Sequence, residues 1–211
     1  DAVTLVFDEK FRNDLFNNVE GIKHIWYKNT LSSTITFGET SATTSCAAIE
    51  YGYLEMYNME LEAGNFFSVT DIEKGLQKLI ISRDLANDLF PMGDALGKNV
   101  MLVANNVTFG FKIIGILKDQ TTGMETSTAF IPRGFYAKKI KPNSPADNVL
   151  VQVNNAKEAS QMVTTLSTYC RSITGTDSVR ISSMQTMLEQ MSEITNTMSV
   201  LLAAVAAISL L

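Results

Sequence analysis

The stretch VLVQVNNAKEASQMVTTLSTYCRSITGTDSVRIS, residues 149–182, sets the architecture. Val149 to Val153 reads as a strand. A helix from about Ala156 to Ile173 follows, with Ala159, Met162, Val163, Leu166, Cys170 and Ile173 on one stripe and Gly175 just past its end. Asn155 with Glu158 three residues on is spaced like a capping box, Asn replacing the usual Ser or Thr. Val179 to Ser182 resumes as strand, which makes the segment a β-α-β unit.

The same grammar opens the chain. Ala2 to Phe7 reads as a strand, and Asp8 is placed to cap a helix carrying Phe11, Leu15, Phe16 and Val19, with Gly21 as its stop. Ile22 to Tyr27 and Ser33 to Phe37 read as further strands, and the low-charge run Glu39 to Ser45 suits a crossing between lobes. Two β-α-β units then bracket a middle of different texture. There Lys78 to Ile81 reads as a short strand, Ser82 caps a helix with Leu85, Leu89 and Phe90 before Pro91, and Asn105-Asn106 joins a hairpin of 100–104 with 107–117. The expected fold is α+β in two lobes: a lobe of two β-α-β units from residues 1–46 and 146–184, and an inserted small α/β lobe from 47–145.

Residues 185–211 read differently. Met187, Met191, Ile194, Met198 and Leu201 recur at alternating four- and three-residue steps, the stripe of a helix that runs into the uncharged segment Met198 to Leu211. That segment is shorter than the roughly 20 residues of a membrane span. It reads as the first part of a span or as a buried helix, and the chain as a region between two membrane crossings. The stripe is either a stalk and dimer seam or a terminal amphipathic helix packed on its own domain.

Composition narrows the chemistry. The 211 residues carry a net charge of −5, and no basic cluster exists to meet nucleic acid phosphates. Lys138, Lys139 and Lys141 precede Pro142 and read as a solvated turn. Cys46 and Cys170 lack metal-ligand spacing, and their pairing stays open. His24, the single histidine, lies in a strand beside Trp26 without the partners that a nucleophile or metal needs. Gly93 to Asn99 imitates a phosphate loop, but three residues separate its glycines instead of four, and Asn99 stands where the hydroxyl belongs. Asp71 with Glu73 and Asp84 with Asp88 read as solvated helix charges. No catalytic, cofactor or metal residue is assigned, and the chain is read as no enzyme.

The middle also carries an ordered set of motifs: Leu61-Glu62-Ala63-Gly64-Asn65-Phe66-Phe67-Ser68, Asp71-Ile72-Glu73, Leu85-Ala86 with Leu89-Phe90-Pro91, Gly93 to Lys98, and Phe111 to Leu117. Their order and spacing resemble the extracytoplasmic core domain of MacB-like ABC transporter permeases, and Leu201 to Leu211 looks like the start of that family's second transmembrane helix. Asn65 departs from the Arg that usually follows the glycine. The resemblance implies a porter-like lobe and an inserted lobe on the periplasmic side of the inner membrane, with no cofactor. It also implies a function: carrying ATP-driven motion of membrane helices to the periplasm for export or release of a substrate. The implied partners are a second permease subunit, a cytoplasmic ABC ATPase subunit or domain, the membrane through flanking helices, and in some relatives a periplasmic adaptor protein and an outer-membrane exit duct. A ligand-sensing extracytoplasmic domain of a signalling receptor is the alternative.

Overall fold

The computed structural model describes residues 3–119, 125–184 and 205–210. In chain order the helices are α1 (Glu9–Asn18), α2 (Tyr53–Met56), α3 (Val69–Lys74), α4 (Arg83–Leu89), α5 (Arg133–Phe135) and α6 (Ala159–Thr174). The strands are β1 (Ile22–Phe37), β2 (Thr40–Ile49), β3 (Leu61–Gly64), β4 (Lys78–Ser82), β5 (Asn99–Ala104), β6 (Val107–Leu117), β7 (Ala129–Pro132), β8 (Asn148–Val153), β9 (Val179–Ser183) and β10 (Val205–Leu210). The chain divides into one unit of Asp1–Lys28 with Pro145–Leu211 and a second of Asn29–Ser144.

This division falls earlier than the expected boundary at residue 46, because the anticipated strands at 22–27 and 33–37 are one 16-residue strand. The first part of β1 pairs with β8, from Ile22 to Lys28, and the rest pairs with β2, from Asn29 to Phe37. The Thr/Ser-rich run expected to cross between lobes is the body of β2; the chain crosses at Lys28 and Asn29 instead.

In the first unit, local signals form the helices as anticipated. The Asp8 carboxylate accepts from the Phe11 amide at 2.8 Å, and α1 buries Phe11 and Leu15 while Phe16 faces solvent. The Asn155 side chain accepts from Lys157 rather than Glu158, opening a short 3-10 turn before α6. α6 buries Ala159, Met162, Leu166 and Cys170, leaves Ile173 exposed, and ends at Gly175 in the left-handed region. The sheet order is β1-β8-β10-β9, every pairing antiparallel.

Two expectations change here. Residues 3–7, expected as a strand, belong to no strand or helix. Val205–Leu210, expected as helix, is the strand between β8 and β9, with Ile208 in the core. An uncharged run satisfies its backbone equally through helical bonds or through two waiting strand edges, and hydrophobicity does not separate the two. The stripe residues Met187, Met191, Ile194 and Met198 lie outside the described residues. Among the described residues no helix is long and apolar enough to cross a membrane.

The second unit closes on itself. β1 pairs with β2, β2 with β7 in parallel, β7 with β4, β4 with β6 in parallel, β6 with β5, and β5 returns to β1. Such a circuit removes the open edges that make sheets sticky. Its inward residues, among them Ile35, Cys46, Leu79, Leu102, Phe111 and Ile131, form one core with α4 and α5. Asn105 and Asn106 both take positive φ, the turn that matches strand twist in a two-residue hairpin. Ser82 caps α4 by accepting from the Leu85 amide. Around Gly64 the backbones of β3 and β6 meet, with Gly64 opposite Gly115.

Candidate functional site

One buried polar arrangement in the second unit centres on Arg133. Proline fixes the backbone before it and Gly134 follows it, so the side chain leaves the end of β7 at the start of α5. Only 9% of Arg133 is exposed, and Asn29 is fully buried. The Arg133 Nε donates to Asn29 Oδ1 at 2.8 Å and an Nη donates to the Ser144 carbonyl at 3.2 Å. Asn29 is where the chain enters this unit, and Ser144 is where it leaves. One planar guanidinium therefore holds the entry and the exit together, a task suited to a rigid fork of donors. Within the first unit, the Asp147 amide donates to the Lys28 carbonyl at 3.0 Å, fixing the same pair of chain segments there.

Sequence reasoning missed Arg133. The available signal was a single charge inside the apolar run Ala129-Phe130-Ile131-Pro132-Arg133-Gly134-Phe135-Tyr136, where an unpaired charge could not be buried.

A second buried polar group is Glu125. It accepts from the Tyr53 hydroxyl, and its other oxygen accepts from the Ser127 amide at 2.9 Å. Burial raises the Tyr53 pKa well above its ordinary value, with nearby Tyr57 and Glu125 adding to the shift, so the phenol stays a donor. A cleft of about 230 Å³ lies beside this group, lined by Ser82, Asp84, Lys118, Asp119 and Thr128. A groove of about 320 Å³ runs along α4, where Arg83 pairs with Glu62 at 2.6 Å near Asn87 and Phe90. Exposed pairs of this kind add little stability.

The residues weighed from sequence take structural positions. His24 lies exposed on β1 with its ring 4.2 Å from that of Trp26. Gly93, Asp94 and Gly97 have positive φ in a turn, and the Gly97 amide donates to Ile113 rather than converging with others on a shared point. Asp84 and Asp88 lie exposed on α4. Asp71 differs from expectation. It is buried, forms a capping box with Ser68, and pairs with Lys78 at 2.7 Å. Burial pushes its pKa up, but hydrogen bonds from Lys78 and Ser68 outweigh that and hold the carboxyl below its ordinary value. Lys138 and Lys139 sit in a π-helical turn, Tyr136–Ile140, and Lys138 donates to the Glu73 carbonyl. Among the described residues no group of His, Cys, Asp or Glu side chains is placed to hold a metal ion.

Both cysteines are free and buried, each in the core of its own unit. Burial pushes the Cys46 thiol up to about 12 and the Cys170 thiol up to about 11. Since the thiolate is the reactive species, neither cysteine should be alkylated by iodoacetamide at pH 8 in the folded chain, and both should be once urea unfolds it. Intact mass spectrometry reads the result. Labelling of Cys46 without denaturant would contradict its burial.

Comparison with known proteins places this geometry. Residues 6–169 match the family described as MacB-like periplasmic core domain. An uncharacterized ABC transporter permease, YknZ of Bacillus subtilis, is 28% identical over 94% of this chain and 50% of its own length. The macrolide export ATP-binding/permease protein MacB of Marinobacter nauticus is 24% identical over 100% of this chain and 32% of its own length. The chain thus spans half or less of these relatives. The extracellular domain of the YknZ transporter from Gram-positive bacteria has a similar fold, with TM-score 0.66 and 24% identity over 81% of this chain and 86% of that one. The periplasmic region of MacB from Actinobacillus actinomycetemcomitans also gives TM-score 0.66, at 17% identity over 82% of this chain and 77% of its own.

Proposed function

Because the chain belongs to the MacB-like periplasmic core domain family, we propose that it serves as the extracytoplasmic head of an ABC transporter permease in the inner membrane, relaying ATP-driven movement of membrane helices to the periplasmic side. The observation that carries this reading is the family match, which runs through both units of the fold rather than through one of them. Relatives described as permeases share it along most of this chain. The buried polar groups support a mechanical role: Arg133, Glu125 and Asp71 each make hydrogen bonds that hold backbone and side chains in place.

In this reading the domain works with a second permease subunit and a cytoplasmic ATPase subunit or domain, and export or release of a substrate is the outcome. A periplasmic adaptor and an exit duct join in those machines that possess them. Met187, Met191, Ile194 and Met198 are proposed to line the contact between paired stalks, because unbranched Met side chains repack as two helices slide.

Membrane topology mapping of the complete gene product tests the reading. Two further apolar spans beyond residue 211 are expected, with an ABC ATPase fused to it or co-purifying. A kinase, cyclase or methyl-accepting region in their place would sink it. The seam has its own check: Met191→Asp in the membrane-embedded protein should abolish cysteine crosslinking between copies at Met187. Undiminished crosslinking and transport would remove the seam while leaving the permease reading intact.

A further inference from the structure

We propose that the open edge of β3, together with the groove between β3 and α4, docks an extended segment of another polypeptide, one that carries a large apolar side chain with basic residues beside it. The circuit of β1, β2, β7, β4, β6 and β5 gives each of those strands a neighbour on both sides. β3 lies outside it and, among the described residues, pairs with β6 alone. The Asn65 amide donates to the Ile114 carbonyl at 2.9 Å, and the Glu60 carbonyl accepts from the Lys118 amide at 2.9 Å, so both ends of β3 are tied to β6 along one edge. The opposite edge presents strand donors and acceptors that no described strand meets. Glu62 and Gly64 of this strand are exposed.

The edge borders the groove of about 320 Å³. One wall is Glu62 and Ala63 of β3. The other is a single face of α4 and its end, where Arg83, Asn87 and Phe90 follow at helical spacing. Apolar surface continues past the rim. The Phe90 ring lies 4.4 Å from that of Phe37, Met92 in the following turn is 97% exposed, and the Leu96 side chain lies against Gly64. Exposed apolar side chains gathered about one groove are the mark of an interaction site.

Shape and charge select the occupant. An extended chain laid along β3 meets the open edge with its backbone and turns alternate side chains into the groove. A second copy of this chain cannot fill it, because its own β3 would bring Glu62, Ala63 and Gly64, none of them a large apolar residue. Of the three charged residues that line the groove, Arg83 and Glu62 neutralise each other at 2.6 Å, which leaves Asp94. Asp84 and Asp88 add exposed negative charge on α4, so the complementary segment is basic. The shortness of β3 and the bulge between Leu61 and Ala63 confine pairing to a few residues; backbone bonds then set the register, and the groove supplies selectivity. The site rests on the second unit alone and stands apart from the transport reading.

Fluorescence anisotropy with short labelled peptides tests it. A peptide alternating lysine with isoleucine should bind the chain saturably and about tenfold more tightly than one alternating glutamate with isoleucine, a preference that shrinks at high salt. Methylating one alternate set of the peptide's backbone nitrogens should weaken binding about tenfold, while methylating the other set should not, because only one set faces β3. Asn87→Trp fills the groove from an exposed position of α4 and should abolish binding, with amides of β4 and β6 still protected from hydrogen exchange. The proposal is overturned if the lysine peptide does not bind, if the glutamate peptide binds equally well, if both methylated peptides bind as tightly as the parent, or if binding survives Asn87→Trp.

Discussion

Gly64→Ala is expected to destabilise the 29–144 unit by roughly 3–5 kcal/mol, combining a left-handed backbone that resists a Cβ with a collision that has no room to relax. Gly64 has φ +83°, and an added Cβ would lie 2.0 Å from the Ile114 carbonyl oxygen and 2.9 Å from the Gly115 Cα. Both obstacles are backbone, so no rotamer change can clear them. The Ile114 carbonyl also accepts from the Asn65 amide at 2.9 Å, so displacing it costs a hydrogen bond as well. Gly38→Ala is the control: its φ is +58° but nothing lies within 4 Å of the added methyl, which leaves the backbone preference of about 1 kcal/mol alone. Urea unfolding of both variants, followed by hydrogen exchange in β4 and β6, separates the two contributions. A loss at Gly64 no larger than at Gly38 would mean that β3 and β6 do not approach as described.

The second large effect belongs to Arg133→Met. Methionine keeps an unbranched apolar stem, but it is shorter and offers no donor to the fully buried Asn29 amide oxygen or to the Ser144 carbonyl. Losing a charge-assisted hydrogen bond to a buried acceptor costs about 1–3 kcal/mol, so a loss of about 3 kcal/mol is expected for the two together. Arg133→Lys should recover less than half of it, because a single ammonium cannot present the same planar fork to two acceptors. Protection should fall first at β2, which pairs with β1 at Asn29, and at β7, which ends just before Arg133. A loss below about 1 kcal/mol for Arg133→Met would show that entry and exit are held by other contacts.

Legibility in the sequence followed the range of each interaction. Asp8, Ser82, Gly175 and the Asn105-Asn106 turn act within a few residues, and each was readable because its partner is close by. The helical stripe of α6 was readable for the same reason, except at Ile173, where the helix turns its last apolar residue outward. The sequence reading ended one strand at Tyr27 and began the next at Ser33, leaving Asn29 between them. Here Asn29 stays in the strand, its side chain accepting from an arginine 104 positions away. Asp71 looked solvated for a comparable reason, since the lysine that neutralises it lies beyond the end of its helix. The circuit of β2 with β7 and of β4 with β6 is parallel pairing, which no turn announces. Hydrophobicity identified the C-terminal run but not its period, so it could not tell strand from helix.

The meeting of Asn29 and Ser144 on one guanidinium bears on how such proteins diversify. A module whose two ends are fixed side by side can be lifted out and replaced by another of the same footing, because the host chain sees only a short bridge between neighbouring points. Residues 29–144 have the anatomy of an interchangeable cassette. Transplanting this cassette from a relative, cut at the positions of Lys28 and Pro145, should yield a chimera whose host portion folds unchanged.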